Sequence, residues 1–321
     1  MEPVATSNPP AGAARAPARA VAFLGLGVMG YPMAGHLARA GHRVTVFNRS
    51  PAKAQRWAQA HAAWGGSAAA SPAAAARGAQ LVFACVGNDE DLREVTVGPQ
   101  GAFAAMDEGA VFVDHTTASA QVARELYAAA RGAGRHFVDA PVSGGQAGAE
   151  GGTLTIMCGG DEAAFALARD AMHAYARAVT RIGPAGSGQL AKMVNQLCIA
   201  GLLQGLAEGI HFGERAGLDM RLVLEVIGKG AAQSWQMDHR GATMIEGRYD
   251  FGFAVEWMRK DLGMCLDEAR RVGAQVPVAE MVDRFYADLA AAGCSRWDTS
   301  SLIERLRRLA PPDGPAPGGT P

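Results

Sequence analysis

The chain has 321 residues, 49% of them hydrophobic, and a formal net charge of −1, which excludes a disordered polyelectrolyte and gives no bulk positive field for nucleic acid. At roughly 150 residues per domain, the length suits two folded units. The five cysteines, Cys85, Cys158, Cys198, Cys265 and Cys294, are far apart and form no CxxC or Cys/His cluster, so neither structural zinc nor a disulfide framework is expected.

In chain order, residues 1–19 mix Pro, Ala, Gly and Arg without periodicity and read as a disordered extension. Pro3, Pro9, Pro10 and Pro17 argue against an amphipathic targeting helix there. No secretory apolar region opens the chain, and its most apolar stretch, Leu197 to Leu206, is short and interrupted by Gln204, so a cytoplasmic protein is expected. From Ala20 onward, short apolar runs alternate with helical patterns. Strands are predicted over Ala20 to Leu24, Arg43 to Phe47, Leu81 to Cys85, Val111 to Asp114, His136 to Asp139 and Leu154 to Cys158, with a shorter one near Val179 to Ile182. This pattern predicts an α/β fold over residues 20–182, a Rossmann-type doubly wound, mostly parallel sheet. After Gly183-Pro184-Ala185-Gly186 the strand signals stop, and residues 183–309 read as an all-α C-terminal domain. It opens with a long interdomain helix, Ser187 to Ala216, about 45 Å at the usual rise. Gly217 ends that helix and Asp219 caps the next. Residues 310–321 are a second Pro/Gly tail, also read as disordered.

Gly25-Leu26-Gly27-Val28-Met29-Gly30 is a G-x-G-x-x-G between a predicted strand and a predicted helix. Gly25 suits the tight turn, Gly27 a pyrophosphate close to the backbone, and Gly30 close packing of helix on strand. The helix N-terminus adds N–H donors and positive potential. No acid for an adenosine ribose diol stands at the end of the second strand. Asn48-Arg49-Ser50 stands there instead, and a guanidinium with two small polar neighbours suits a 2′-phosphate, so NADP(H) is expected in preference to NAD(H).

Arginines outnumber lysines 26 to four, and the lysines are Lys53, Lys192, Lys229 and Lys260. Because arginine keeps its proton at any accessible pH, a proton-transferring cation must come from those four. Lys192 and Asn195, three apart, share a helix face, and Gly188, one turn earlier, takes a side chain off that face, which leaves room for a flat ring or a substrate. Ser143-Gly144-Gly145 follows a strand end, where its N–H groups and hydroxyl can hold a carboxylate.

The run Phe23 to Leu37 resembles the N-terminal signature of the β-hydroxyacid dehydrogenases, the group that includes 3-hydroxyisobutyrate dehydrogenase and tartronate semialdehyde reductase. Asp114-His115-Thr116-Thr117 is similar to the family's D-x-[ST]-[ST] segment, and Asp139 to Gly145 to its substrate loop. Gly188 to Asn195 is similar to its G-x-x-x-K-x-x-N helix, and Lys260-Asp261-Leu262 to its K-D-L. The resemblance implies hydride transfer between a nicotinamide cofactor and a short 3-hydroxy acid or its semialdehyde. It implies Lys192 as general acid and base, and Ser143, Gly144, Gly145 and Asn195 as substrate contacts. It places Val86, Gly87, Asn88, Thr117 and Lys260 beside the cofactor, and it implies a homodimer or homotetramer formed through the helical domain.

An imine reductase shares this architecture, but that group generally lacks the lysine at the position of Lys192. A non-catalytic NADPH-binding scaffold loses the same lysine and carries extra domains. Three departures bear on the substrate. Ala118-Ser119-Ala120 contains no proline, Cys85-Val86-Gly87 replaces a common Met-Leu-Pro, and Asn195-Gln196 stands where two asparagines are common. His115 could touch a ligand, and the aromatic residues Trp235, Phe251, Phe253 and Trp257 are expected in the core unless they close a pocket.

Overall fold

The computed structural model describes residues 18–309. Both tails assigned from sequence therefore lie outside the described residues, apart from Ala18 and Arg19. Arg19 is tied down, since its carbonyl accepts from the Arg43 N–H at 2.9 Å and its guanidinium donates to the Leu167 carbonyl.

The first unit contains β1 (Ala20–Leu24), α1 (Gly30–Arg39), β2 (Arg43–Phe47), α2 (Pro51–Ala60), β3 (Ser67–Ala68), α3 (Pro72–Ala76), β4 (Leu81–Ala84), α4 (Asp89–Val97), β5 (Val111–Asp114), α5 (Ala120–Gly132) and β6 (His136–Asp139). These strands form one parallel sheet in the order β3-β2-β1-β4-β5-β6. The chain continues through β7 (Val142–Ser143), α6 (Gly145–Glu150), β8 (Leu154–Gly160), α7 (Glu162–Met172) and β9 (Ala176–Gly183). β8 pairs antiparallel with β6 and β7 and parallel with β9, so the sheet is parallel over its first six strands and mixed at one edge. Two short strands, β3 and β7, carry too little apolar pattern to be predicted, and β9 runs longer than expected because its middle and end are polar or half-exposed.

Two buried clusters cover the faces of the sheet. One gathers Phe23, Leu37, Trp57, Phe83 and Tyr175, and the other Leu24, Phe112, Leu126 and Phe137. Near-continuous apolar strands such as Leu81–Ala84 and Val111–Asp114 are what a sheet buried on both faces requires. Strand order reverses between β1 and β4, and it is at such a switch point, beyond the carboxyl ends of the strands, that doubly wound sheets bind ligands.

The second unit consists of α8 (Ser187–Arg215), α9 (Met220–Ile227), α10 (Trp235–Ile245), α11 (Val255–Val272), α12 (Pro277–Ala291) and α13 (Leu302–Leu309). Gly217 adopts φ +75° after α8, and the Asp219 carboxylate caps α9 by accepting from the N–H groups of Arg221 and Leu222. α8 is long and apolar enough, by length and composition alone, to cross a membrane. One face is accounted for within the fold: Ala200, Leu203, Ala207 and Ile210 are buried with Met258, Leu262 and Tyr286 of α11 and α12. Leu197 to Leu206 is only the most apolar part of this helix, and it is the full span Ser187–Arg215 that reaches such a length.

Candidate active site

The first turn of α8 is held by the sheet. Asp139, at the end of β6, is fully buried, and its two carboxylate oxygens accept from the N–H of Gly186 at 2.7 Å and of Gln189 at 3.0 Å. A side chain 47 to 50 residues away in sequence thus does the work of a helix N-cap. The Gln189 side chain completes the junction: it donates to the Thr116 carbonyl at 2.7 Å and accepts from the Ala118 N–H at 3.1 Å. Sequence reasoning missed both residues as anchors, since a long-range cap has no local spacing signal.

This junction corrects the expectation for Gly188. A Cβ there would lie 2.5 Å from the Met157 carbonyl oxygen and 2.6 Å from that of Asp139. The missing side chain lets α8 press onto β6 and β8, and does not open space for a ring beside Lys192.

Lys192 follows one turn later, 8% exposed. Burial is the largest influence on its ammonium and lowers its pKa from 10.5 to about 8; Lys260 acts in the same direction, while Asp261 and Cys265 oppose. Asn195, on the same helical face, accepts from the Ser143 hydroxyl at 3.4 Å. Lys192, Asn195 and Ser143 are thereby brought to one place. Ser143 lies in β7 and not in an open turn, while Gly144 and Gly145, at φ +132° and +61°, form an exposed bend leading into α6.

Lys260 reaches from α11 to the sheet. Its ammonium donates to the carbonyls of Gly87 at 3.0 Å and Thr117 at 2.7 Å, and stands 3.3 Å from the Asp261 carboxylate. It ties the loops after β4 and β5 to the helical domain and is no solvated surface charge. In the same loops the Val86 N–H donates to the Thr116 hydroxyl, and the Asn88 side chain caps α4 by accepting from the Asp91 N–H.

Gly25 has φ +94°, and a Cβ on it would run into the Cys85 carbonyl; one on Gly30 would run into the carbonyl of Gly25. A Cβ on Gly27 meets nothing within 4 Å, which leaves its backbone open to a bulky group approaching the N-terminus of α1. Val28 is exposed, Met29 half-buried, and the buried Leu26 donates its N–H to the Asn48 side chain at 2.9 Å. Asn48 therefore shapes the loop with its oxygen, while Arg49 and Ser50 stand exposed at the end of β2. The Arg49 guanidinium pairs with Asp91 at 3.1 Å. These residues fit a dinucleotide: an open glycine at a helix N-terminus, with donors at the strand end for the adenosine half.

His115 belongs to the core. It stacks on Phe83, its ring nitrogens lie 2.6 Å from the Ala140 carbonyl and 2.8 Å from the Tyr175 hydroxyl, and burial lowers its pKa to about 4. The core expectation fails for three aromatic residues: Trp235, Phe253 and Trp257 are 50%, 38% and 39% exposed.

Residues 20–183 match the family described as the NAD binding domain of 6-phosphogluconate dehydrogenase. Residues 186–306 match the one described as the NAD-binding domain of NADP-dependent 3-hydroxyisobutyrate dehydrogenase. The chain belongs to the β-hydroxyacid dehydrogenase family. It is an oxidoreductase of the NAD(P)-dependent hydroxyacid dehydrogenase class. An uncharacterized oxidoreductase of Shewanella frigidimarina is 58% identical over 90% of this chain and 98% of its own length. The 2-hydroxy-3-oxopropionate reductase of Escherichia coli is 31% identical over 90% and 97%. Among solved structures, Mycobacterium tuberculosis 3-hydroxyisobutyrate dehydrogenase with L-serine superposes with a TM-score of 0.81 at 32% identity, covering 90% of this chain and 99% of that one.

Proposed function

We propose that this dehydrogenase reduces a short semialdehyde to its 3-hydroxy acid with NADPH, and catalyses the reverse oxidation, with Lys192 as the proton donor and acceptor. The observation that carries this is the buried Lys192 on the face of Asn195, itself bonded to Ser143. When bound, the nicotinamide supplies the hydride to the carbonyl carbon. Ser143, the N–H groups of Gly144 and Gly145, and the Asn195 amide hold the substrate carboxylate and orient the carbonyl. The Lys192 ammonium stabilises charge developing on the carbonyl oxygen and gives it a proton, which completes the alcohol. A panel of small semialdehydes with NADPH, followed at 340 nm, tests the assignment; no turnover across the panel sinks it.

The direction of the lysine's shift sets the pH profile. Reduction needs the ammonium, so its kcat is level below about pH 8 and falls as pH rises through that value; oxidation needs the free amine and rises through the same range. Two limbs of the same sign, or no limb between pH 6 and 10, contradict the role.

Cofactor preference rests on Arg49. Its side chain is 89% exposed at the end of β2, where a 2′-phosphate can compete with Asp91 for it, and the matched family description for residues 186–306 names an NADP-dependent enzyme. Arg49→Ala should weaken NADPH binding by about 10–100-fold, the worth of one charge-assisted contact, with little change for NADH. Asp91→Asn removes the carboxylate that competes for Arg49 and should tighten NADPH by about two- to fivefold, the scale of an exposed ion pair. Isothermal titration with both cofactors reads these effects, and equal losses for NADH and NADPH in Arg49→Ala would remove the 2′-phosphate assignment.

The protein works as a homo-oligomer in this proposal. Val194, Leu202, Phe212, Leu222 and Val226 are exposed apolar residues of α8 and α9, with Phe212 at 72%, and a second subunit seated on these helices would cover them. Light scattering on the intact protein at micromolar concentration should give a dimer or tetramer mass.

A further inference from the structure

Gln196 and Asp261 are nearly inaccessible, at 2% and 1% exposure, and lie on facing helices. Gln196 is one turn beyond Lys192, on the same face of α8. Its amide orientation is fixed from both ends: its oxygen accepts from the Asn195 side chain at 2.8 Å, and its nitrogen donates to one oxygen of Asp261 at 2.6 Å. The other Asp261 oxygen has no hydrogen-bond partner among the described residues and stands 3.3 Å from the Lys260 ammonium. A continuous path therefore runs from Ser143 through Asn195, Gln196 and Asp261 to Lys260, and from there to the carbonyls of Gly87 and Thr117.

We propose that Gln196 is a positioning residue: it fixes the Asp261 carboxylate inside the domain junction as the counter-charge of Lys192, and ties that placement to the substrate-side amide of Asn195. This rests on the assignment of Lys192 as the proton-transferring group, and it concerns how that group is set. The charged and titratable groups acting on Lys192 are Asp261, Lys260 and Cys265, all from α11. Of these, Asp261 alone brings a carboxyl group, and that group is hydrogen-bonded across to α8. Burial raises the carboxyl's proton affinity, whereas Lys260, Lys192 and the amide donated by Gln196 favour the ionised form. Removing the amide thus favours a neutral Asp261, and Lys192 loses the anion that helps it keep its proton.

With four lysines in the chain, lysine labelled with 13C at Cε gives a spectrum of four signals, and Lys192→Arg identifies the one belonging to Lys192. Its titration is read in the free full-length protein, independently of turnover. Gln196→Met, which keeps the volume and loses the amide, should lower the midpoint. Asp261→Asn should lower it further, by about one unit or more, as for loss of an opposite charge nearby. The double variant should match Asp261→Asn alone, because Gln196 acts through Asp261. Gln196→Glu sets a second carboxyl against Asp261; the two share a proton and leave one negative charge, so the midpoint stays near the wild-type value. A role limited to packing would disturb the Met and Glu variants alike. An unmoved midpoint in Gln196→Met or Asp261→Asn, or additive shifts in the double variant, overturns the proposal. It does so even where Lys192→Arg has lost its turnover, so the two assignments fail separately.

Discussion

Lys192→Arg is expected to fold as the parent does and to lose about 10²–10⁴-fold in kcat for semialdehyde reduction, the usual worth of a general acid. The substitution keeps a positive charge at a buried position where Asp261 favours the cation, and removes a proton that can be given up near neutral pH. KM should change far less than kcat, because the substrate contacts proposed for Ser143, Gly144 and Asn195 are left in place. The check is steady-state kinetics alongside a thermal unfolding midpoint: turnover within a few-fold of wild type in a folded variant would remove Lys192 from the mechanism. Because arginine is bulkier and the site is buried, Lys192→Met provides a second reading, with kcat depressed at least as much.

Much of the site was legible because its chemistry is local. The glycine loop sits between one strand and one helix, and Gly25, Gly27 and Gly30 have the distinct surroundings that their spacing foretold. Lys192 and Asn195 share a face by helical geometry alone. What spacing could not supply was every connection made across the domain junction. Asp139 looked like the start of a substrate loop and turns out to cap α8 from the sheet. Lys260, carried over as a cofactor-side residue, clamps two loop carbonyls more than 140 residues away. Asn88, carried over as a cofactor contact, spends its side-chain oxygen on the N-terminus of α4. A core place is the default for the aromatic residues of the helical domain, yet Trp235 and Trp257 face water. For Asp139 and Lys260 the deciding partner is remote in sequence, and a pattern with a helical or strand period carries no information about it.

The same junction gives the largest structural effect. Gly188→Ala should destabilise the protein by about 2–4 kcal/mol, although alanine in a helix is ordinarily preferred to glycine by about 1 kcal/mol. The new methyl would sit 2.5 to 2.8 Å from the carbonyl oxygens of Met157 and Asp139 and from the Asp139 carboxylate. The carbonyls belong to β6, β8 and their hydrogen-bonded neighbours, so they cannot yield as a flexible side chain would; α8 must lift from the sheet. That movement stretches the bonds from the Gly186 and Gln189 N–H groups to Asp139 and displaces Lys192 one turn along. The unfolding midpoint should fall by roughly 5–10 °C, and kcat should fall with it in the fraction that remains folded. Gly205→Ala in the same helix is the control: a Cβ there meets nothing within 4 Å, and the helix preference should make it neutral or stabilising by up to about 1 kcal/mol. If both variants unfold at the same temperature as the parent, the close approach of α8 to β6 and β8 is not what Gly188 provides. If Gly188→Ala alone is destabilised while Lys192 keeps its titration midpoint, the helix gives way at its first turn without carrying the lysine with it, and the anchoring role of Asp139 is confined to stability.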